Sequence, residues 1–293
     1  MSSSRPREGD PIAPYRRRLL GLAYRMLGSR SDAEDVVQDA YLRFIGADGV
    51  RNPEAFLVTI VTRLCLDRLK SAKAQREIYV GPWLPEPVFD TDGLSTEATT
   101  ELADDLSFAL LLALDRLSPQ ERAAFLLHDV FDIPFSEIAT MIGRNEAACR
   151  QLATRARRAV RDERPPPAAT DSHAHLLQAF LEAVVSGDLS QLTGLLREDA
   201  VAVTDGGGRK TAALNPIYGA DKVARFFIGV AGKATGEIHI EPTMINGSIG
   251  ALLYMGGELD HSVSVSIDGE KIAAIYLVRN PDKLRHAPAQ SRQ

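Results

Sequence analysis

Three consecutive prolines, Pro165 to Pro167, divide this chain into halves with different hydrophobic periods. Proline fixes φ and lacks an amide proton, so neither a helix nor a central strand runs through such a triplet. Ahead of it, apolar residues recur every three or four positions; beyond it, after two helical stretches, they alternate. A helical half and an α+β half follow, which at 293 residues is a multidomain chain.

The helical half is written in local stop and start signals. Tyr15, Leu19, Leu22, Ala23, Met26 and Leu27 form a stripe with Arg16, Arg17, Arg18 and Arg25 between them, and Gly28 is its stop. Ser31 to Glu34 has the form of a capping box. The helix it opens carries Ala33, Val36, Val37, Ala40, Tyr41 and Phe44 on one side and Asp32, Asp35, Gln38, Asp39 and Arg43 on the other. After a loop from Gly46, Asn52-Pro53 starts a third helix with a core face of Phe56, Leu57, Ile60, Val61 and Leu64. Leu106, Leu110, Ala113, Leu114 and Leu117 resume the period, and Ser118-Pro119-Gln120-Glu121 is a second capping box.

In the other half, strands are expected at Ala200–Val203, Glu237–Glu241, Ile249–Met255, Glu258–Ile267 and Lys271–Val278, of antiparallel type. Leu259, His261, Val263, Val265 and Ile267 alternate with polar residues. If the valines face a pocket, His261 does too and Asp260 faces out. Asp205, His239, Glu258, Asp260 and His261 are the acid–base candidates there. Gly206 to Gly208 marks a tight turn; without a following Gly-Lys-Ser/Thr it is no nucleotide loop.

The formal charge of −5 argues against a nucleic-acid partner only when taken whole. By segment it is +4 over 1–80, −7 over 81–120, +1 over 121–164 and −3 over 165–293. Gly81 to Leu110 holds seven acids and no base. Cys65 and Cys149 stand far apart with no metal-ligand spacing, which excludes a disulfide scaffold. With no apolar run of spanning length and no hydrophobic leader, the expectation is a cytoplasmic protein with no membrane contact, no metal and no cofactor.

Residues 135–158 carry the strongest motif. A short helix ends at Gly143 with Ile138, Ala139 and Ile142 inward, and a second starts after Asn145. In the second, Cys149, Leu152 and Ala156 lie on one face, so Ala147, Gln151, Thr154 and Arg158 point away, flanked by Arg150 and Arg155. This is helix-turn-helix spacing with an arginine-rich recognition helix.

Taken together, Ala33-Glu-Asp-Val-Val-Gln-Asp-Ala-Tyr-Leu-Arg-Phe44 and the stretch from Pro53 to Leu69 resemble region 2 of the extracytoplasmic-function (ECF) sigma factors. Leu117 to Val130 with the helix-turn-helix resembles region 4. Trp83 to Pro87, Asp205-Gly206-Gly207-Gly208-Arg209 and Asn280-Pro281-Asp282-Lys283-Leu284 resemble the marker motifs of the SigJ-like subgroup, which has a fused SnoaL-like domain. Lys210 after Arg209 departs mildly from the pattern.

The resemblance implies region 2 at 12–80, an acidic Pro-rich linker at 81–105, region 4 at 106–164, a SnoaL-like cone-shaped α+β domain at 171–284 and a tail at 285–293. It implies that Asp32, Asp35, Gln38 and Asp39 bind the clamp helices of core RNA polymerase. The third helix and the Gly46–Asn52 loop would open and read the minus-ten element. Promoter DNA would meet Arg63, Arg68, Lys70 and Lys73 there, and Arg144, Asn145, Arg150, Gln151, Thr154, Arg155 and Arg158 at the minus-thirty-five element. Trp83, Leu84 and Pro85 with Asp205–Arg209 and Asn280–Leu284 would form the regulatory contact. The acid-rich linker would lie near the polymerase cleft as a mimic of nucleic-acid charge. A small-molecule ligand or residual enzymatic activity in the C-terminal pocket stands as the alternative; otherwise the chain is expected to be non-catalytic.

Overall fold

The structure is a computed structural model and describes residues 11–89, 105–163, 170–234 and 236–290, of which the side chains of 72–77, 163 and 170–171 are not described. The chain divides into two compact units. One comprises residues 1–74, 91–105 and 113–162; the other comprises 75–90, 106–112 and 163–293. The segment expected to be a linker therefore does not stand apart, since 75–90 and 106–112 are built onto the C-terminal domain.

In the first unit, α1 (Ala13–Leu27), α2 (Arg30–Ile45) and most of α3 (Pro53–Glu77) precede the end of α4 (Phe108–Asp115), α5 (Pro119–Phe125), α6 (Phe135–Ile142) and α7 (Glu146–Glu163). Gly28 closes α1 in the left-handed region at φ 69°, its N–H donating to the Tyr24 carbonyl at 2.7 Å. Only Ser29 separates it from α2. That short link moves the cap: Ser29, not Ser31, accepts from the Asp32 amide at 3.1 Å, and Glu34 pairs with Arg30 at 3.0 Å. The other two starts are as expected. Asn52 accepts from Ala55, and Ser118 exchanges bonds with Glu121 at 3.3 and 3.1 Å. A π-helical turn, Leu126–Val130, follows α5 directly.

The core line of α3 is rotated from the expected one. Leu57, Val58, Val61, Thr62, Cys65 and Leu69 are buried, while Phe56, Ile60 and Leu64 are half-buried. Arg25, between the apolar residues of the α1 stripe, is 1% exposed and donates to the Gly21 carbonyl.

The second unit is an α+β domain. Helices α8 (Thr170–Ser186), α9 (Leu189–Leu195) and α10 (Ala220–Ala231) accompany a six-stranded sheet of order β2-β1-β6-β5-β4-β3. Its strands are β1 (Leu196–Asp205), β2 (Ile217–Tyr218), β3 (Ile238–Ile245), β4 (Ser248–Met255), β5 (Glu258–Asp268) and β6 (Lys271–Val278). Pairing is antiparallel except β1 with β6, which is parallel.

One sheet face meets the helices through Phe180, Val223, Phe227, Val263, Val265, Ile267 and Leu277. The opposite face, with Ala274, Tyr276 and Val278, is covered by Leu84, Phe108 and Leu284. Leu259 belongs to this second face, against the simple alternation. Leu253 pairs with His261 and Tyr254 with Leu259, so Asp260 is the extra residue of a β-bulge and the parity flips across it. No helix among the described residues is long and apolar enough to cross a membrane.

Candidate nucleic-acid interface and linker clamp

The helix-turn-helix is formed as its spacing predicts. Gly143 ends α6 in the left-handed region at φ 67°, and Asn145 accepts from the Ala148 amide at 2.8 Å to start α7. Ile138, Met141 and Ile142 of α6 are buried, with Ala139 half-buried. They face a seam of Cys149, Leu152, Ala153, Ala156 and Val160 on α7. Arg144, Asn145, Arg150, Gln151, Thr154, Arg155 and Arg158 are all exposed on the outer side.

Those cations are nevertheless engaged within the unit. Arg144 donates to Gln120 at 2.9 Å, Arg155 pairs with Glu121 at 2.8 Å, and Arg157 with Asp129 at 2.6 Å. Arg150 pairs with Glu146 and lies 5.0 Å over the Phe135 ring; Arg158 is 3.8 Å from Asp162. The Ser118 and Arg155 hydrogen bonds hold the Glu121 carboxyl below its usual range. Exposed pairs of this kind are weak, about 0.2–1 kcal/mol each.

The α3 candidates sit differently from one another. Arg63 donates to the Thr140 and Met141 carbonyls at 3.2 Å, capping the C-terminus of α6 with a positive charge. Lys70 pairs with Asp67 at 2.8 Å and remains exposed. Arg68 turns to α2: its guanidinium is 2.8 Å from Asp32, 3.6 Å from Asp35 and 3.9 Å from Asp39. Lys73 lies on α3 with its side chain outside the described residues. Asp32, Asp35, Gln38 and Asp39 are all exposed on one side of α2, opposite the buried Ala33, Val36, Val37 and Ala40.

Two further arginines, which sequence reasoning missed as contacts, hold α1 to the π turn and α5. Arg122 is 4% exposed and donates to the Met26 carbonyl at 2.5 Å and to Asp115 at 2.9 Å. Arg18 donates to the Phe131 carbonyl at 2.6 Å and pairs with Glu54 at 3.3 Å. A cleft of about 590 Å³ opens between α3, where Arg63 and Lys70 line it, and Gln120, Met141 and Gly143.

In the second unit the three quoted motifs converge on Asp205, which is fully buried. Its carboxylate accepts from the Tyr79 hydroxyl at 2.6 Å, the Leu84 amide at 2.9 Å and the Lys283 ammonium at 2.6 Å. Its carbonyl accepts from the Arg279 and Asn280 amides. Burial and the Asp205 carboxylate push the Tyr79 hydroxyl well above its ordinary pKa, so it stays a donor.

Lys283 also lies 4.4 Å from the Trp83 ring centre and 5.1 Å from that of Tyr79. Leu84 and Pro85 are buried and Trp83 is half-buried. Asn280 donates to Tyr79 at 3.0 Å and caps the short Pro281–Lys283 turn that leads to the buried Leu284, while Arg209 sits 3.6 Å from Asp282. A Cβ on Gly207 (φ 57°) would lie 2.2 Å from Asn280 Nδ2, and one on Gly206 would lie 2.1 Å from the Lys210 carbonyl. Glycine is required there by close approach, not by a ligand.

A second hub escaped the sequence reading. Asn246, at φ 53° in the β3–β4 turn, accepts from the Val88 amide at 3.0 Å and donates to the Leu106 carbonyl at 2.9 Å. Its own amide donates to the Val88 carbonyl at 2.7 Å. Both ends of the expected linker are thus fastened to one domain. Of the seven acids between Gly81 and Leu110, Glu86 and Asp105 alone lie among the described residues; Glu86 is buried, 3.9 Å from His286. The expected tail is held too, since Tyr254 donates to the Pro288 carbonyl at 3.3 Å.

Among the acid–base candidates, Asp260 does not face out. The bulge turns it back onto His261 Nδ1 at 2.7 Å, and Arg279 and Lys210 both reach it at about 3 Å. The His261 hydrogen bond and the two cations hold its carboxyl far below the usual range. Burial lowers the His261 pKa, partly offset by Asp260. His239 is half-buried beside Tyr254, and Glu258 is exposed.

A pH dependence follows from His261. Burial makes the folded chain the weaker binder of a proton at His261, whereas the unfolded chain takes one up below about pH 6.5. Its contribution is complete above that pH and is lost as the pH falls through it. The unfolding midpoint of the C-terminal domain is expected to drop from pH 7 to pH 5, and His261→Gln is expected to flatten that drop. His173, lowered in the same direction by burial, accounts for a remainder. Equal slopes in the two proteins would remove His261 as the cause.

Residues 12–75 match the family Sigma-70 region 2, and residues 107–160 match Sigma-70, region 4. Along nearly its full length the chain is 36% identical to "ECF RNA polymerase sigma factor SigJ" of Mycobacterium tuberculosis, covering 98% of this chain and 96% of that one. It is 31% identical to "Probable ECF RNA polymerase sigma factor SigI" of the same species, covering 94% and 95%. The crystal structure of the Mycobacterium tuberculosis extracytoplasmic function sigma factor SigJ superposes with a TM-score of 0.76 at 35% identity, covering 94% of this chain and 98% of that one.

Proposed function

Because the chain belongs to the extracytoplasmic-function sigma factors of RNA polymerase, we propose a division of its work among the faces described above. It is a transcription initiation factor whose partners are core RNA polymerase and promoter DNA. In our reading the outer side of α2 (Asp32, Asp35, Gln38 and Asp39) binds the clamp helices. Helix α3 and the Gly46–Asn52 loop open and read the minus-ten element. The outer side of α7 reads the minus-thirty-five element through Gln151 and Thr154, with Arg150, Arg155 and Arg158 on phosphates.

The observation that carries this reading is the partition of α7. Its apolar residues form one buried seam, and every candidate contact residue lies on the opposite, exposed side. A solvated helix has no need to gather four arginines with Gln151 and Thr154 there.

We assign the C-terminal domain a regulatory role, exercised through the segments it grips at Asp205 and Asn246. A domain fused to the segment it holds acts at high effective concentration, so modest contacts keep the grip closed. The Asp260–His261 pair is its nearest approach to an acid–base site. Arg279 and Lys210 engage that carboxylate as a structural ion pair, which supports a regulator over a catalyst.

The test is binding to core polymerase. Reversing two charges in a charge-complementary interface opposes like to like. Asp35→Arg with Asp39→Arg is expected to weaken core binding by about 30-fold or more, with only a small loss of thermal stability, since both side chains are exposed and their contacts with Arg68 are weak. Undiminished binding of the reversed protein would sink the assignment of α2.

A further inference from the structure

Arg68 stands where two of the proposed faces meet. It lies on α3, the promoter-facing helix of the proposal above, yet its guanidinium is directed at α2. Nη1 is 2.8 Å from Asp32 Oδ1 and 3.6 Å from Asp35 Oδ2, and Nη2 is 3.9 Å from Asp39 Oδ2. These acids occupy positions i, i+3 and i+7, so one guanidinium spans the whole acidic stripe. The Arg68 side chain is 32% exposed and the three acids are 51–70% exposed, so every partner in this contact is reachable from solvent.

A guanidinium seated on carboxylates is not available to a phosphate, and carboxylates occupied by it are partly neutralised toward a cationic protein surface. The two events compete for opposite members of one ion pair. We propose that Arg68 is a shared positioning residue that couples polymerase binding to promoter binding. In the free chain it occupies Asp32, Asp35 and Asp39, and a cationic polymerase surface that takes these acids releases it toward DNA phosphates. The proposal rests on the assignment of α2 to polymerase made above.

Coupling of this kind is reciprocal. DNA that draws Arg68 away leaves three exposed carboxylates, which strengthens the hold on polymerase by the same factor. The other described cationic promoter candidates are likewise engaged in the free chain, with acids or carbonyls of their own unit.

The experiment measures affinity for core polymerase, at low and high salt and with and without a promoter duplex, for the full chain and for Arg68→Gln and Arg68→Lys. Arg68→Gln removes the competitor, so core binding without DNA is expected to tighten about three- to ten-fold at low salt, with a steeper salt dependence. The further gain on adding promoter DNA is expected to shrink by a similar factor. Arg68→Lys, a cation without the planar fork, is expected to fall between the two.

Unchanged core affinity with weaker promoter binding would make Arg68 a plain phosphate contact and overturn the coupling. Weaker core binding by Arg68→Gln would make it a scaffold for α2 and overturn it equally. Failure of the assignment beneath it reads differently, as core binding indifferent to the Asp35→Arg, Asp39→Arg reversal.

Discussion

Replacing Asp205 with alanine is expected to loosen the grip on the 79–89 segment and to destabilise the C-terminal unit by about 3–5 kcal/mol, the range for removing one partner of a buried ion pair. The residue is fully buried, and its loss takes an acceptor from three donors at once: the Lys283 ammonium, which still reaches the Leu84 carbonyl, the Tyr79 hydroxyl and the Leu84 amide. Only the ammonium carries a full charge, so it dominates. A second replacement, Lys283→Met, added to Asp205→Ala is therefore expected to recover stability instead of lowering it further.

Trp83 reports the event directly. It is the chain's single tryptophan, and Lys283 lies over its ring. Its emission is expected to shift to the red in Asp205→Ala at temperatures where circular dichroism still shows a folded sheet. An unaltered spectrum and an unaltered unfolding midpoint would show that Asp205 does not organise the segment.

The clamp also bears on how a C-terminal deletion behaves. Cutting the chain near Pro165 removes the C-terminal domain, but it also uncovers Leu84, Val88 and Phe108, all buried in the C-terminal unit. Such a protein exposes a new apolar face. Point variants at Asp205 separate loss of grip from loss of fold, which the deletion does not.

What the sequence made legible was local. Helix starts at Asn52 and Ser118 and stops at Gly28 and Gly143 are each decided within four or five residues, and they stand where expected. The partition of α7 follows from its period alone. Ser29 displaced Ser31 as a cap because the left-handed Gly28 left a one-residue link, a choice between two nearby serines that pattern does not make.

The unread parts are non-local. Helix α10 was not read from the sequence; the structure buries Val223, Ala224 and Phe227 on its inner side. The parallel β1–β6 pairing and the bulge at Asp260 depend on partners about 70 and 6 residues away, and the bulge inverted the expected facing of Leu259 and Asp260. The partners of Arg63 and Arg68 within the unit went unread because a lone cation on a helix carries no sign of an acid or a carbonyl brought beside it by folding. Asn246 had no signal beyond an Asn-Gly turn, and its use to hold Val88 and Leu106 is purely tertiary.

Loosening the arginine contacts between α1 and the α5 region is expected to raise promoter-specific transcription at limiting protein. The minus-ten and minus-thirty-five elements are 25 base pairs apart by name, about 85 Å along B-form DNA at 3.4 Å per pair. A compact unit of about 140 residues has a radius of gyration near 14 Å. One unit that holds both α3 and the helix-turn-helix does not span that distance, so if the two helices read these elements as proposed, they are expected to part before initiation.

The contacts that must break are polar. Arg122 bridges to the Met26 carbonyl, Arg18 to the Phe131 carbonyl and Arg63 to the end of α6, beside a cleft that already leaves part of the boundary unpacked. Arg18→Met removes a bond to a charged donor worth about 1–2 kcal/mol after its partial exposure is allowed for, a factor of about 5–30 in the population of the parted form. Arg122→Met is expected to act in the same direction and more strongly, since that side chain is buried.

Where the parted form is rare, apparent affinity for promoter and polymerase rises in proportion to its population. The measurement is the distance between fluorophores on α2 and α7, together with transcription by core polymerase over a titration of each variant. A longer distance with transcription reaching half-maximum at lower protein concentration is the expected result. An unchanged distance in both variants would show that these arginines are not what holds the readers together.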